Sequence, residues 1–159
     1  ITSYSSNLVA ASIHDDLSLP WPFVGFSGWP SQNDQWKSWD LLCSLRRGMS
    51  GPILFGGDFN EIMVQNEKLG GACWSFASMS GFRDVISSAD LADLGYAGNL
   101  FTWFQGNTKH TCIAKRLDRF LGSVEWTNIF KMFQITHLTP NCSDHCPIVI
   151  DFSLSGCNP

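Results

Sequence analysis

The chain has no surplus of basic residues. It contains 10 Lys and Arg against 14 Asp and Glu, which gives a formal net charge of −4 at pH 7. Domains that hold nucleic acids by bulk electrostatics usually carry a basic surplus, so the acidic balance argues against that mode of binding. Any contact with a nucleic acid must therefore come from a local cluster of cations.

A long apolar run is also missing. No stretch reaches the roughly 18 apolar residues of a membrane-spanning helix, and the amino end lacks the basic and then apolar order of a secretory signal. We therefore expect no membrane partner and an intracellular location. Because the first residue is Ile1 rather than Met and the chain begins in a strand-like segment, we also expect a piece of a longer protein.

The six cysteines do not show the spacing of a small disulfide scaffold, and reduced thiols are expected. Cys142 and Cys146 flank Asp144 and His145, which is compatible with a zinc site. No second Cys/His pair at ligand spacing supports that interpretation.

Length and periodicity predict one α/β domain over residues 1–159. The chain has 44% hydrophobic residues and no internal repeat, which is enough to build one core. Alternation and β-branched content predict strands near 7–13, 21–26, 52–57, 100–104, 112–120, 132–138 and 146–154. Three- and four-residue spacing predicts helices from a cap at Asn33 or Asp34 to Gly48, over 78–89 and over 123–130.

The most informative stretch is 52–61, where an apolar run ends in two glycines and delivers Asp58 and Asn60. In an extended chain these two side chains point the same way, while Phe59 points into the protein. A carboxylate and an amide suit a divalent cation and a phosphate. The alternative is an ordinary loop in which Asp and Asn serve a turn.

Two further acidic positions lie near predicted strand ends, namely Asp118 and the pair Asp144 and His145. If these ends converge with Asp58, the set provides carboxylates for a divalent ion and an imidazole that can handle a proton. Metal-assisted hydrolysis of a phosphodiester needs these groups. The alternative is a structural histidine beside a proline-containing strand.

Residues 109–119 form the one markedly basic segment. Lys109, Lys115, Arg116 and Arg119 are predicted to contact a nucleic-acid backbone. The alternative is a solvated edge strand that its charges protect from aggregation.

Several short motifs of the sequence resemble those of a known superfamily. The motifs at 57–60 (GDFN), 116–119 (RLDR) and 143–147 (SDHCP) occur in the order and at the spacing seen in the endonuclease/exonuclease/phosphatase superfamily, which includes apurinic endonucleases and DNase I. The intervening segments at 67–71, 93–98 and 101–103 resemble parts of the endonuclease domain of plant LINE-type, non-LTR retrotransposons. The resemblance covers about residues 6–152.

This resemblance implies a four-layered α/β sandwich of the DNase I-like type, with amino-terminal strands missing. It also implies the cofactor Mg²⁺, with Mn²⁺ as an alternative, and DNA as the partner, with no obligate protein partner. The reaction would be metal-dependent hydrolysis that leaves a 3′-hydroxyl and a 5′-phosphate, in the nucleus.

The resemblance further implies a role for each site residue. Asp58 and Asn60 would bind the metal-bridged phosphate and position the water. His145 would act as general base or charged stabiliser, and Asp118 would set its tautomer. Asp144 would complete the metal environment that Asp58 begins.

Two departures from the family pattern predict weak activity for residues 1–159 alone. No residue before Gly57 matches the Asn and the metal-binding Glu that the family carries on its first strands. Ser27 stands where the family tends to have Tyr, and its side chain is too short to replace a phenol. The alternatives are a non-catalytic retroelement remnant and an enzyme of the same superfamily that acts on a phosphoester other than DNA.

Overall fold

The computed structural model describes residues 1–14, 20–106, 111–140 and 142–152. The strands in these ranges are β1 (Ser3–Tyr4), β2 (Leu8–Ile13), β3 (Trp21–Ser27), β4 (Leu54–Asp58), β5 (Lys68–Leu69), β6 (Leu91–Asp93), β7 (Ala97–Gly98), β8 (Trp103–Gln105), β9 (Ile113–Lys115), β10 (Asp118–Ser123), β11 (Gln134–His137) and β12 (Ile148–Asp151). The α-helices are α1 (Gln35–Gly48), α2 (Phe76–Ser88) and α3 (Val124–Ile129).

The largest sheet has six strands in the order β1-β2-β3-β4-β10-β6. Strands β3 and β4 run parallel, and the other neighbouring pairs run antiparallel. The parallel pair requires a long crossover, which α1 supplies between the two strands. Because β10 is antiparallel to β4, the start of β10 lies beside the end of β4.

Alternating side chains place a separate core on each face of this sheet. Phe55 and Leu121 face the helices, where they pack in one cluster with Leu42 of α1 and Phe82 of α2. Their chain neighbours face the other way, as the two-residue period of a strand requires. There, Leu54, Phe120 and Trp21 pack with Trp126 of α3 and with Ile135 of the second sheet.

A second sheet has the order β12-β11-β7 and covers the core that contains Trp21 and Trp126. The expected arrangement of two sheets flanked by helices is therefore present. The two sheets leave an apolar cavity of about 360 Å³ between them. Its lining includes Trp21 and Phe120 of the large sheet and Ile148 and Phe152 from the carboxyl end.

A third sheet, β5-β9-β8, stands at the end of the large sheet where β4 ends and β10 begins. Trp103 of β8 forms an isolated antiparallel bridge with His145. The amide of Phe104 donates to the carbonyl of Asp144, 2.9 Å away. This small sheet therefore fixes the segment that carries Asp144 and His145.

Most elements predicted from periodicity are present, with shifted ends. The predicted strand 112–120 is divided into β9 and β10, and the strand predicted at 100–104 begins at Trp103. Trp36 of α1 is 59% exposed, so it lies away from the core that Leu42 of the same helix enters. The end of the strand predicted at 146–154 lies outside the described residues.

No helix in the described part of the chain is long and apolar enough to cross a membrane. In the same part of the chain, Cys43, Cys73, Cys112 and Cys146 are free thiols, as expected from their spacing.

Candidate active site

The end of β4 forms a tight turn that presents Asp58. Gly57 has a φ of 139°, and a Cβ at this position would collide with the carbonyl oxygen of Phe26. Phe59 is buried and stacks on Phe26 with ring centroids 4.9 Å apart, so it points into the protein as predicted. Asn60 has a φ of 54°, a left-handed conformation that Asn tolerates better than most residues.

Asn60 holds the carboxylate of Asp58 in place. Its backbone amide donates to Asp58 Oδ1 and its side-chain Nδ2 donates to Asp58 Oδ2, both at 2.8 Å. Nδ2 also donates to the carbonyl of Gly28 at 2.9 Å. The side-chain amide therefore directs both of its hydrogens at protein acceptors, and donation to a phosphoryl oxygen would require it to exchange one of these bonds.

His145 lies between two carboxylates. Its Nδ1 is 2.9 Å from Asp118 Oδ2, and its Nε2 is 4.0 Å from Asp58 Oδ2. Asp118 and Asp58 are direct cross-strand partners in the β10–β4 ladder. The three residues predicted to converge at the strand ends do so, and the predicted contact between Asp118 and His145 is present.

Burial and the neighbouring charges shift the pKa values of Asp58 and His145. Burial and the charge of Asp118 raise the pKa of Asp58 to about 6. Burial lowers the pKa of His145, but its hydrogen bond with Asp118 and the nearby carboxylate charges outweigh that effect and raise the pKa above its ordinary value. The carboxylates around His145 therefore favour the protonated form of its imidazole.

Thr102 supports Asp118, and the sequence analysis gave it no role. Its Oγ1 accepts from the amide of Asp118 at 2.9 Å and from the amide of Leu117 at 3.0 Å. Its amide and carbonyl bond to Lys115 and Cys146 of the flanking segments. Thr102 is fully buried between two aromatic residues of the sequence, and its polar character at that position is the signal that could have found it.

Asp144 lies at the rim of the site. Its Oδ2 accepts a hydrogen bond from Trp103 Nε1 at 2.9 Å, and the residue is exposed. The Asp144 charge contributes to the raised pKa of His145, although less than Asp118 and Asp58 do. The predicted metal ligand is therefore near the imidazole, with one carboxylate oxygen held by an indole.

Arg116 and Arg119 do not belong to a nucleic-acid surface, and that prediction was wrong. Arg119 is 0% exposed and Arg116 is 5% exposed. Both guanidinium groups form ion pairs with Glu67 and Asp93, at 2.7 to 3.1 Å. They form an internal ion-pair network because charges in a protein interior must be paired.

Lys109 and Lys115 are the other two residues predicted to contact a nucleic-acid backbone. Lys109 lies outside the described residues. Lys115 is half-buried beside the site, with its Nζ 4.4 Å from the ring centroid of Trp103. Of the predicted cations in the described part of the chain, Lys115 alone reaches the surface.

The side chains of this site offer some of the oxygen ligands that a divalent cation needs. No group of three or more His, Cys, Asp or Glu side chains in the described ranges is arranged to hold a metal ion. Mg²⁺ is usually bound by one or two carboxylates together with substrate phosphate and water. The half-buried carboxylate of Asp58 fits this requirement as one ligand, because a cation would offset the burial and the Asp118 charge that raise its pKa.

Solved structures of similar shape include an endonuclease domain and a 3′ phosphatase. The endonuclease domain of TRAS1, a telomere-specific non-LTR retrotransposon, superposes with a TM-score of 0.71 and 16% identity over 94% of this chain. The 3′ phosphatase NExo from Neisseria, bound to a product DNA hairpin, superposes with a TM-score of 0.68 and 17% identity over 95% of this chain. The chain has a DNase I-like fold.

A third similar structure is the Staphylococcus aureus beta toxin with bound magnesium ions, with a TM-score of 0.55 and 14% identity over 92% of this chain and 54% of the toxin. This chain spans 65% of the TRAS1 domain and 66% of NExo. No protein-family model and no curated protein sequence matches it. The expected fold class is confirmed, and it is shared at low sequence identity.

Proposed function

We propose that this chain carries the acid–base part of a divalent-metal-dependent endonuclease site that hydrolyses phosphodiester bonds in DNA. The observation that carries the proposal is the line of Asp118, His145 and Asp58, with Nδ1 of the imidazole on one carboxylate and Nε2 facing the other. A half-buried imidazole between two carboxylates, at the end of strand β4, suits proton transfer and charge stabilisation at a phosphate.

In this proposal, the carboxylate of Asp118 accepts a hydrogen bond from Nδ1–H of His145 and so leaves Nε2 directed toward the substrate. A protonated His145 stabilises the negative charge that develops on the phosphoryl oxygens. Water adds to phosphorus as the bond to the 3′ oxygen breaks, which leaves a 3′-hydroxyl and a 5′-phosphate. Asp58 orients the attacking water or its metal, and Asn60 fixes the Asp58 carboxylate.

Mg²⁺, or Mn²⁺ in its place, would be held by Asp58, with Asp144 as a further ligand, and would supply positive charge to the phosphate. Two carboxylates are the number that Mg²⁺ commonly takes from a protein when phosphate and water complete its coordination. Asp144 would first have to direct an oxygen away from Trp103 Nε1, or use the other one.

The similar structures support the reaction class. The TRAS1 domain is an endonuclease and NExo is a 3′ phosphatase seen with a DNA product. The segments that resemble plant LINE endonucleases favour a retrotransposon-derived nuclease, whose nick would prime reverse transcription in the nucleus.

We also propose that residues 1–159 form the carboxy-terminal part of a longer domain. The TRAS1 and NExo chains extend well beyond the portion that this chain spans. Phe23 and Val149 line the apolar cavity between the two sheets and keep exposed area that a preceding segment of the same polypeptide would cover. Strand β12 borders this cavity and has a sheet partner on one side, β11.

The test is nicking of supercoiled plasmid by the natural polypeptide that contains this chain, in millimolar Mg²⁺ and in EDTA. We expect Mg²⁺-dependent nicks with 3′-hydroxyl ends, and loss of nicking in His145→Ala. Phosphoinositides assayed in parallel test the alternative of a non-DNA phosphoester, which the net charge of −4 favours. A folded natural polypeptide that hydrolyses neither substrate class would establish the non-catalytic remnant instead.

A further inference from the structure

An ammonium group is enclosed by two indoles at the rim of the candidate site. Lys115 Nζ lies 4.4 Å from the ring centroid of Trp103 and 5.0 Å from that of Trp74. Both tryptophans are half-buried. We call these three residues the cation rim.

The walls of the cation rim are anchored. Trp74 donates from Nε1 to Glu61 Oε2 at 3.3 Å, and its backbone amide donates to Gln65 Oε1 at 3.0 Å. Trp103 donates from Nε1 to Asp144 Oδ2 at 2.9 Å. Since both indole N–H groups are bonded to carboxylates, the rings are held in place and fix the ammonium between them.

The cation rim lies beside the candidate catalytic groups. Trp103 contacts Asp144 directly and bridges His145 through the backbone, while the Asp58 carboxylate is close enough to affect the pKa of Lys115. A phosphate backbone that placed one phosphate at Asp58 and His145 would therefore pass the ammonium of Lys115.

The ammonium is poorly compensated by the protein. Among residues 1–14, 20–106, 111–140 and 142–152, no carboxylate forms an ion pair with Lys115 within 4.0 Å. Its direct cross-strand partner is Lys68, which donates to the carbonyls of Gly70 and Ala72. Burial and the Lys68 charge lower the pKa of Lys115, so an incoming anion would relieve both effects.

We propose that Lys115 binds a phosphate oxygen of the DNA strand next to the phosphate that is hydrolysed, with Trp74 and Trp103 holding its ammonium in position. This inference rests on the proposed function. In the predicted basic segment, Lys115 would then make the contact with DNA, whereas Arg116 and Arg119 are buried. Aromatic rings beside a cation favour a nucleic-acid strand over a lipid headgroup, because sugars and bases can pack on the exposed ring edges.

Salt dependence of DNA binding tests the contact. Binding of a fluorescein-labelled duplex to the natural polypeptide that contains this chain, the wild-type protein of this test, is measured by anisotropy over a range of salt, in EDTA so that no hydrolysis occurs. Each phosphate neutralised by a cation contributes about 0.9 to the slope of log K against log salt. We expect Lys115→Met to reduce the slope by about 0.9 and Lys115→Arg to retain it.

Lys37→Met is the matched control. Lys37 also lies over an indole, 5.8 Å from the ring of Trp36, but it pairs with Asp34, the residue before α1. Its loss should leave the slope unchanged. Thermal unfolding of each variant verifies that the protein is folded, and a purely structural role of Lys115 would alter the melting temperature without altering the slope.

The outcomes separate this inference from the proposed function. If the wild-type protein nicks and binds DNA while Lys115→Met keeps the wild-type slope, the Lys115 contact is refuted and the nuclease stands. If Lys115→Met instead loses binding to vesicles containing phosphatidylserine, with an unchanged DNA slope, the ligand is a lipid headgroup and the inference is wrong. If wild-type protein neither binds nor nicks DNA, both proposals fail.

Discussion

Asp58 and Asp118 stand directly opposite each other on the antiparallel strands β4 and β10. Like charges in that arrangement destabilise a sheet. The structure compensates with the imidazole of His145, which contacts Asp118 at 2.9 Å and approaches Asp58 to 4.0 Å. A repelling carboxylate pair at the edge of a cleft is better explained by chemistry than by stability.

Replacing Asp58 by Asn should remove a pH-dependent loss of stability. Because the folded protein raises the pKa of Asp58 from 3.8 to about 6, the associated stability is complete below about pH 4 and is lost as the pH rises through about 6. The shift corresponds to at most about 3 kcal/mol. Urea unfolding of wild type and Asp58→Asn across this pH range measures the difference.

The control for this experiment is Asp84→Asn, at an exposed position of α2. It should keep the wild-type pH dependence. An Asp58→Asn variant whose stability varies with pH as steeply as that of wild type would show that Asp58 is not the group responsible.

Replacing Asp118 by Asn should lower the pKa of His145. The variant removes the hydrogen-bonded charge that outweighs burial at the imidazole. Nuclease activity of the natural polypeptide that contains this chain should fall by about 10²-fold or more, since proton transfer by a positioned imidazole contributes on that order. Titration of the His145 ring protons by NMR measures the pKa directly.

Asp144→Asn provides the comparison, because the Asp144 charge acts more weakly on His145 than the Asp118 charge does. Its effect on the imidazole pKa should be smaller. Equal pKa shifts in the two variants would contradict the assignment of Asp118 as the partner of His145.

Thr102→Val should destabilise the protein while Thr102→Ser should not. Valine has no acceptor for the amides of Leu117 and Asp118, and each orphaned buried donor costs about 1–3 kcal/mol. The serine hydroxyl can accept the same two bonds. Chemical denaturation of the two variants gives the free energies of unfolding, and a stable Thr102→Val protein would mean that the two amides find other partners.

Arg119→Met should be strongly destabilising. The guanidinium of Arg119 is fully buried and pairs with Glu67 and Asp93, so its removal leaves two buried carboxylates undercompensated. Breaking such a network costs about 3–5 kcal/mol. Thermal unfolding measures the loss, and Arg47→Met at the exposed end of α1 should change stability by less than about 0.5 kcal/mol.

The same network predicts acid sensitivity. Although burial opposes it, the two arginines lower the pKa values of Glu67 and Asp93 below their ordinary 4.5 and 3.8. Stability from this network is therefore present above about pH 4.5 and is lost as the pH falls through the lowered values. Wild-type protein should lose stability below about pH 4, and Arg119→Met should lose less.

Residues 1–159 alone should nick supercoiled plasmid at or near background in millimolar Mg²⁺. Loss of one preorganised charge or donor at a reacting phosphate costs on the order of 10²–10³ in rate, and this chain has no match for the Glu, Asn and Tyr of the resembling family. His145→Ala should then change little in residues 1–159, whereas it should abolish nicking by the proposed longer polypeptide. Robust Mg²⁺-dependent nicking by residues 1–159 that His145→Ala removes would show the chain to be self-sufficient.

Local pattern was enough to predict the helices, most strands and the inward direction of Phe59, because periodicity and turn chemistry act over a few residues. The order of the sequence motifs around Asp58, Asp118 and His145 was enough to predict that these residues lie close together. The fold class followed from the same motifs.

Only the tertiary structure decided which charged residues face solvent. Lys115, Arg116 and Arg119 are equally cationic in sequence, but the strand break between β9 and β10 turns the two guanidinium groups inward to Glu67 and Asp93 and leaves the ammonium at the rim. The support of Asp118 by Thr102 and of Asp58 by Asn60 also depends on pairings between distant strands or on left-handed backbone geometry. Such contacts arise from packing, where burial forces each charge and amide to find a partner.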